Sequence, residues 1–253
     1  MRKELEAICK SFGITLDDID QRLDELGEAG LLVTSRKVFT LSSRIYARQI
    51  PGLHLTRFYF AMASLLLKNV QNVLEIGTGA AEGTICLAKL FPKATVYTVD
   101  IPLEDPDYKE FCQNVPGTPR GKTCEHNLKQ ADNITCIEKN SFFLPLLLQL
   151  PKQFDLIFVD GAHVFPQVGF DLMFAYSHIV DGGFLFIHDY NPKWQKTPNC
   201  VSPAVNWVEQ RIKEKVFFFP MMTDAENAHL KMVLIIKNRY LKPGRKGNRF
   251  ELQ

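Results

Sequence analysis

Acidic and histidine side chains follow two apolar, strand-like segments in the second half of this 253-residue chain. The segment FDLIFVD ends at Asp160, His163 comes three residues later, and the segment GFLFIHDY contains Asp189 near its end. Neighbouring strands of a parallel sheet end at the same edge, so these carboxylates are expected to lie close together. A histidine with an ordinary pKa near about 6.5 can take a hydroxyl proton at neutral pH. The pattern predicts proton-transfer chemistry at His163 and Asp160, with a structural hydrogen bond as the alternative role for His163.

A glycine-rich turn follows an earlier strand-like segment, in the stretch VLEIGTGAAEGT. Gly77, Gly79 and Gly83 would let the backbone approach a ligand closely at the carboxyl edge of an open α/β sheet. The spacing G-x-G-x-x-x-G differs from the G-x-G-x-x-G of dinucleotide-binding proteins. Glu75, just before the turn, would repel a pyrophosphate and attract an ammonium group. The turn therefore favours a ligand other than NAD.

Alternating strands and helices are needed to position these residues. From Asn72 onward, strands are predicted at 72–76, 94–100, 133–140, 154–160 and 183–190, and helices at 82–91, 166–180 and 203–214. Two further strand-like runs, 215–222 and 231–238, are separated by eight residues, too few for a parallel crossover. We therefore predict a doubly wound α/β fold over residues 51–238, with a seven-stranded, mostly parallel sheet and an antiparallel last strand.

The segments outside this alternation differ in composition. Residues 1–50 predict two helices and a two-stranded ribbon, like part of a winged helix, with Thr15 and Asp18 as a near capping box. Acidic residues on the second helix would repel phosphates, so we expect this segment to form a homodimer or to cover the substrate. The turn-rich interval 101–132 is either a lid or a surface loop. Residues 239–253 form a basic tail.

Composition excludes several classes of protein. Thirty basic and 28 acidic residues give a net charge of +2, which argues against a strongly electrostatic nucleic-acid binder. The chain has no apolar run of about 18 residues, so no membrane-spanning helix is expected. The six cysteines show neither CxxC nor zinc-site spacing. These features predict a cytoplasmic protein.

Together, Glu75, the turn from Gly77 to Gly79 and Asp100 at the end of the second strand resemble the class I S-adenosylmethionine-dependent methyltransferases, over roughly residues 55–238. The resemblance implies that Asp100 accepts hydrogen bonds from both ribose hydroxyls of S-adenosylmethionine. The full set of residues that it implies for the cofactor is Glu75, Gly77, Thr78, Gly79, Gly83, Asp100, Asn140, Ser141 and Asp160. Asn140 and Ser141 would line the adenine, although this family often has an aspartate where Asn140 stands.

Within this superfamily, Asp160 and Asp189 at two strand ends resemble the small-molecule O-methyltransferases of the catechol and the sugar or macrolide types. Many of those enzymes hold a divalent metal between two such carboxylates, which implies Mg²⁺ or another divalent ion here. The metal would polarise a substrate hydroxyl and lower its pKa. His163 stands where the catechol-type enzymes carry a lysine base. In those enzymes an amide residue follows the second carboxylate, whereas Tyr190 follows it in this chain.

The resemblance therefore implies methyl transfer from S-adenosylmethionine to a hydroxyl of a small molecule. One alternative is a methyltransferase that acts on RNA or protein. The other is a winged-helix module that senses the cofactor without catalysis.

Overall fold

A computed structural model describes residues 2–28, 55–102, 104–106, 122–193, 200–221 and 229–238. Three predicted segments lie outside these ranges: the ribbon within residues 29–50, the middle of the interval 101–132 and the basic tail.

The helices and strands follow the predicted alternation. The helices are α1 (Arg2–Ser11), α2 (Leu16–Glu28), α3 (Thr56–Leu66), α4 (Glu82–Leu90), α5 (Lys122–Leu128), α6 (Gln167–His178) and α7 (Val201–Glu209), with a 3₁₀ helix at Ser141–Leu146. The strands are β1 (Asn72–Ile76), β2 (Thr95–Asp100), β3 (Ile134–Glu138), β4 (Phe154–Val159), β5 (Ile179–Tyr190), β6 (Val216–Pro220) and β7 (Lys231–Ile236). Each predicted strand is present, and β5 begins four residues earlier than predicted.

The seven strands form one sheet in the order β3-β2-β1-β4-β5-β7-β6. The first five strands of the chain pair in parallel, and β7 is antiparallel to both of its neighbours, β5 and β6. The predicted fold class is confirmed, including the reversed last strand. The chain reverses strand order between β1 and β4, so their carboxyl ends border the crevice where open α/β sheets bind ligands.

Helices cover both faces of the sheet. Phe158 and Phe186 belong to the core beneath α1 to α4, whereas their neighbours Ile157 and Leu185 belong to the core beneath α6 and α7. This alternation follows from the two-residue period of a strand. Because both faces of the inner strands are buried, β1, β4, β5 and β7 are apolar along most of their length.

The first two helices pack onto the same core. Asp18 accepts hydrogen bonds from the backbone and hydroxyl of Thr15 at 2.7 Å, which confirms the predicted capping contact. Leu5 and Ile19 are fully buried, and the ring of Phe12 packs against that of Phe217 with 5.7 Å between the ring centroids. The apolar faces of α1 and α2 are thus covered within the chain. Dimerisation through this segment stays a prediction.

Helix α3 was not predicted; it packs on a face of the sheet through Phe60, and its first turn lies at the carboxyl edge. Its first turn carries Thr56 and Arg57, and Arg57 donates to Glu82 of α4 at 2.9 Å. Tyr59 is buried and donates to the carbonyl of Pro220 at the end of β6. The helix therefore connects the start of α4 to the last strands. Across the described ranges, no helix is long and apolar enough to span a membrane.

Candidate active site

The turn after β1 is held tightly against the end of β4. Gly77 has a φ of +101°, and a Cβ there would collide with the carbonyl oxygen of Asp160. The glycine is therefore required by the approach of the chain's own backbone, not only by a ligand. Gly79 has a φ of +52°, and among the described residues no atom beyond its chain neighbours lies within 4 Å of the position that its Cβ would take. The open side of the turn is at Gly79.

Glu75 lies beneath this turn, with only 1% of its surface exposed. Its Oε2 accepts hydrogen bonds from the hydroxyls of Thr84 and Thr98, the latter at 2.7 Å. A Cβ on Gly83 would collide with the Oε1 of Glu75, so this glycine makes room for the carboxyl group. Burial raises the pKa of Glu75 to about 8, although the hydroxyls favour the charged form. The structure places Glu75 as a support for the turn.

The pKa of Glu75 makes stability depend on pH. The folded protein holds this proton up to about pH 8, whereas the unfolded chain releases it near the ordinary value of 4.5. The folded state therefore binds more protons between these values, and the free energy of unfolding falls as pH rises, by at most about 1.4 kcal/mol per pH unit. Glu75→Gln keeps a neutral side chain at every pH. Urea unfolding from pH 5 to 9 is expected to show a shallower decline in this variant, and identical slopes would contradict the assignment.

Asp100 ties the end of β2 to the glycine turn. Its Oδ2 accepts from the backbone nitrogen of Gly79 at 3.0 Å, and its Oδ1 from that of Ile101 at 2.8 Å. Asn127, on α5 within the interval 101–132, donates to the carbonyl of Ala80 at 2.8 Å. Two segments that are distant in sequence therefore fix the backbone of the turn. Whether the interval 101–132 closes over a ligand stays a prediction.

Asn140 and Ser141 follow β3 at the same edge. The Oδ1 of Asn140 accepts from the backbone nitrogen of Phe142 at 3.0 Å and caps the 3₁₀ helix. The Oγ of Ser141 accepts from the side-chain amide of Gln167 on α6. Both side chains hold the start of the 3₁₀ helix beside the sheet edge.

Two aspartates and two histidines come together where β4 and β5 end. The Nε2 of His163 lies 3.7 Å from Asp160 Oδ1 and 3.5 Å from Asp189 Oδ2. The Nδ1 of His188 lies 3.1 Å from Asp160 Oδ1 and 3.2 Å from Asp189 Oδ2. Asp160, His163 and Asp189, predicted to be neighbours, are neighbours. His188 is a fourth member of this group.

The charges of this group stabilise one another. Burial alone would raise the pKa of Asp160, but His188 and His163 hold it well below its ordinary value. Burial would lower the pKa of His163, yet Asp160 and Asp189 raise it above 6.5. The same two carboxylates overcome burial at His188 and raise its pKa to about 10. Asp160 is thus a carboxylate at neutral pH and His188 an imidazolium.

Asp160, His163 and Asp189 also fit a divalent metal. One ligand atom from each side chain lies within 4.8 Å of the other two, and all three side chains are partly exposed. Carboxylate oxygens suit Mg²⁺, whereas an imidazole nitrogen also suits Mn²⁺, iron or zinc. The two predicted ligands therefore fit a divalent ion, and a nitrogen of His163 lies beside them.

Thr56 of α3 is a neighbour of this group that sequence reasoning missed. Its hydroxyl lies 3.2 Å from the Nε2 of His188, so the ring of His188 spans from α3 to the two aspartates. The signal in the sequence was the apolar run after Thr56, which predicts a buried helix but not its position.

Two sequence comparisons relate this chain to known proteins. Residues 74–190 match the family described as a methyltransferase domain. An uncharacterised protein of Acanthamoeba polyphaga mimivirus is 31% identical over 94 residues, which cover 32% of this chain and 41% of that protein. The chain therefore spans about two fifths of the curated relative that it matches.

Solved O-methyltransferases share the fold. TomG from Streptomyces achromogenes, involved in tomaymycin synthesis and solved with S-adenosylmethionine, is 14% identical, covers 84% of this chain and 95% of its own, and has a TM-score of 0.52. An O-methyltransferase from Bacillus cereus, solved with S-adenosylhomocysteine, is 13% identical, covers 94% of this chain and 100% of its own, and has a TM-score of 0.52. The fold is the Rossmann-like α/β methyltransferase fold.

Proposed function

We propose that this protein transfers the methyl group of S-adenosylmethionine to a hydroxyl of a small molecule. The observation that carries the proposal is the cluster of Asp160, His163 and Asp189 at the carboxyl ends of β4 and β5. It lies next to the glycine turn, because Gly77 packs against the backbone of Asp160. Titratable groups thus adjoin the turn that would hold the cofactor. Support also comes from the shared fold of the two O-methyltransferases, which were solved with this cofactor or its product.

The chain's own residues would divide the work of the reaction. The turn at Gly79 and the carboxylate of Asp100 would hold the methionine and ribose parts of the cofactor. His163 Nε2 would accept the proton of the acceptor hydroxyl, and the carboxylates of Asp160 and Asp189 would stabilise the imidazolium that forms. Methyl transfer is a displacement at a sulfonium methyl, so most of the rate enhancement should come from alignment and proton removal.

A divalent metal, if one is used, would be held by Asp160 and Asp189. Bound there, it would act as a Lewis acid that lowers the pKa of the acceptor hydroxyl. An imidazole nitrogen that ligates a metal cannot accept a proton at the same time. Base and ligand are therefore exclusive roles for His163 Nε2, and we assign it as the base.

Removal of divalent ions tests the metal. If Asp160 and Asp189 hold one, EDTA is expected to abolish methyl transfer, and added Mg²⁺ or Mn²⁺ should restore it. Asp189→Asn should then cost about as much activity as chelation, and the two losses should not add. Full activity in EDTA would remove the metal and leave the histidine as base.

Tritiated methyl transfer from S-adenosylmethionine tests the proposal as a whole. The label is offered with three separate acceptor pools, namely small metabolites, RNA and protein. We expect it to enter the metabolite pool in a base-stable form, as for a methyl ether. Labelling of RNA or protein instead would support the first alternative, and binding without transfer to any pool would support the cofactor-sensing alternative.

We also propose that the protein is a homodimer.

A further inference from the structure

A buried polar cluster connects α6 with the stretch expected to line the adenine. Asp171 on α6 has no exposed surface, and Gln167, one turn earlier, is 8% exposed. The side-chain amide of Gln167 donates to Asp171 Oδ1 at 3.0 Å and also to Ser141 Oγ. An amide NH₂ has two protons, so one group serves both acceptors. The position of Ser141 is therefore set from α6.

The other carboxylate oxygen of Asp171 faces the turn that carries Asp160 and His163. It lies 3.5 Å from the position that a Cβ on Gly161 would occupy. Within the described ranges, no hydrogen bond reaches this oxygen. A buried carboxylate oxygen without a donor destabilises the folded state, whereas an apolar side chain of similar size would not. A carboxyl group at this position therefore calls for a role other than stability.

The acceptor-only character of a carboxylate accounts for that role. Asp171 can only accept, so it fixes the NH₂ end of Gln167 toward itself and toward Ser141. Burial raises the pKa of Asp171 to about 6, while its polar neighbours Ser141 and Gln167 favour the charged form. With an apolar residue in its place, the amide of Gln167 would be free to turn, and Ser141 would lose its support.

We infer that Asp171 is a positioning residue for the cofactor, acting through Gln167 and Ser141 on the stretch that lines the adenine. The inference rests on the proposed function, because it takes the edge beside Ser141 as the cofactor site. Asp171 itself touches neither cofactor nor acceptor, since it is fully buried. It connects α6 to the adenine side through Ser141 and packs beneath the turn that bears the base.

Binding of S-adenosylhomocysteine, measured by calorimetry on the full-length protein, tests the inference. Asp171→Asn is expected to weaken binding about 3- to 10-fold. The asparagine amide can donate as well as accept, so it no longer fixes the orientation of the Gln167 side chain. Ser141→Ala should weaken binding by a similar factor. If one route connects the two residues, the double variant should lose no more than the larger single loss.

Asp155→Asn is the matched control. Asp155, at the opposite end of β4, accepts from the backbone nitrogens of Gln71 and Asn72 at 2.8 and 2.9 Å. This change should lower thermal stability and leave affinity unchanged. If Asp171→Asn does not fold, Gln167→Leu removes the same bridge and is expected to weaken binding to a similar extent.

Two results would overturn the inference while the proposed function stands. Unchanged affinity in Asp171→Asn, or in Gln167→Leu if that variant has to be used, would make the cluster purely structural. Losses that multiply in the double variant would show that Asp171 does not act through Ser141. Absence of binding to the wild-type protein would instead remove the proposed function itself.

Discussion

Replacing His163 with alanine is expected to lower kcat by about 10²- to 10⁴-fold while leaving the affinity for S-adenosylhomocysteine nearly unchanged. The expected loss follows from the position of the His163 side chain. His163 Nε2 lies between Asp160 and Asp189 at the end of β4, and these carboxylates raise its pKa above the ordinary value of 6.5. A base must be neutral to accept a proton, so the kcat of the wild type should rise with pH, with a midpoint above 6.5.

His178→Ala is the matched control for this experiment. His178 stacks on Phe174 at the end of α6, with 3.9 Å between ring centroids, and it precedes the amino end of β5, away from the carboxyl ends of β4 and β5. Its loss should not change kcat. Imidazole added to His163→Ala should restore part of the rate if the residue is a base. Unchanged turnover, or a loss that only excess metal restores, would contradict that assignment.

Replacing Gly77 with alanine is expected to destabilise the fold by more than about 4 kcal/mol or to prevent folding. An alanine Cβ would collide with the carbonyl of Asp160 and lie 2.8 Å from the nitrogen of Gly161. The φ of +101° adds strain for any side chain. Neither backbone can move without separating β1 from β4. Urea unfolding of the variant and of the wild-type protein measures the loss of stability.

Gly13→Ala separates the collision from the strain. Gly13 has a φ of +74°, but within the described part of the chain no atom beyond its neighbours lies within 4 Å of its Cβ position. Strain alone should cost about 1–2 kcal/mol. Equal losses in the two variants would contradict the argument that Gly77 is required by the approach of β4.

The sheet could be predicted from the sequence because its signals are local. Apolar runs at the period of a buried strand gave all seven strands, and the eight residues between the last two excluded a parallel connection. Because parallel strands end at one edge, the proximity of Asp160 and Asp189 followed from the order of the elements. Their common neighbour His163 followed from its distance of three residues along the chain.

The partners of the site residues could not be predicted, because they come from other elements and depend on packing. Nothing local indicates that Thr84 and Thr98 would hold Glu75, or that burial would raise the pKa of that carboxyl group. The contact of Thr56 with His188 spans 132 residues of the chain. Such contacts are fixed by the docking of α3 and α4 on the sheet. A single sequence does not determine how these two helices pack on the sheet.

Calorimetric titration with S-adenosylhomocysteine tests the central claim most directly, namely that this edge of the sheet is an S-adenosylmethionine site. The wild-type protein is expected to bind this ligand and not to bind NADH. Asp100→Ala should weaken binding by about 1–3 kcal/mol, since two charge-assisted hydrogen bonds to the ribose are lost. Unchanged affinity in that variant would remove Asp100 from the site. Tight binding of NADH without binding of S-adenosylhomocysteine would contradict the account as a whole.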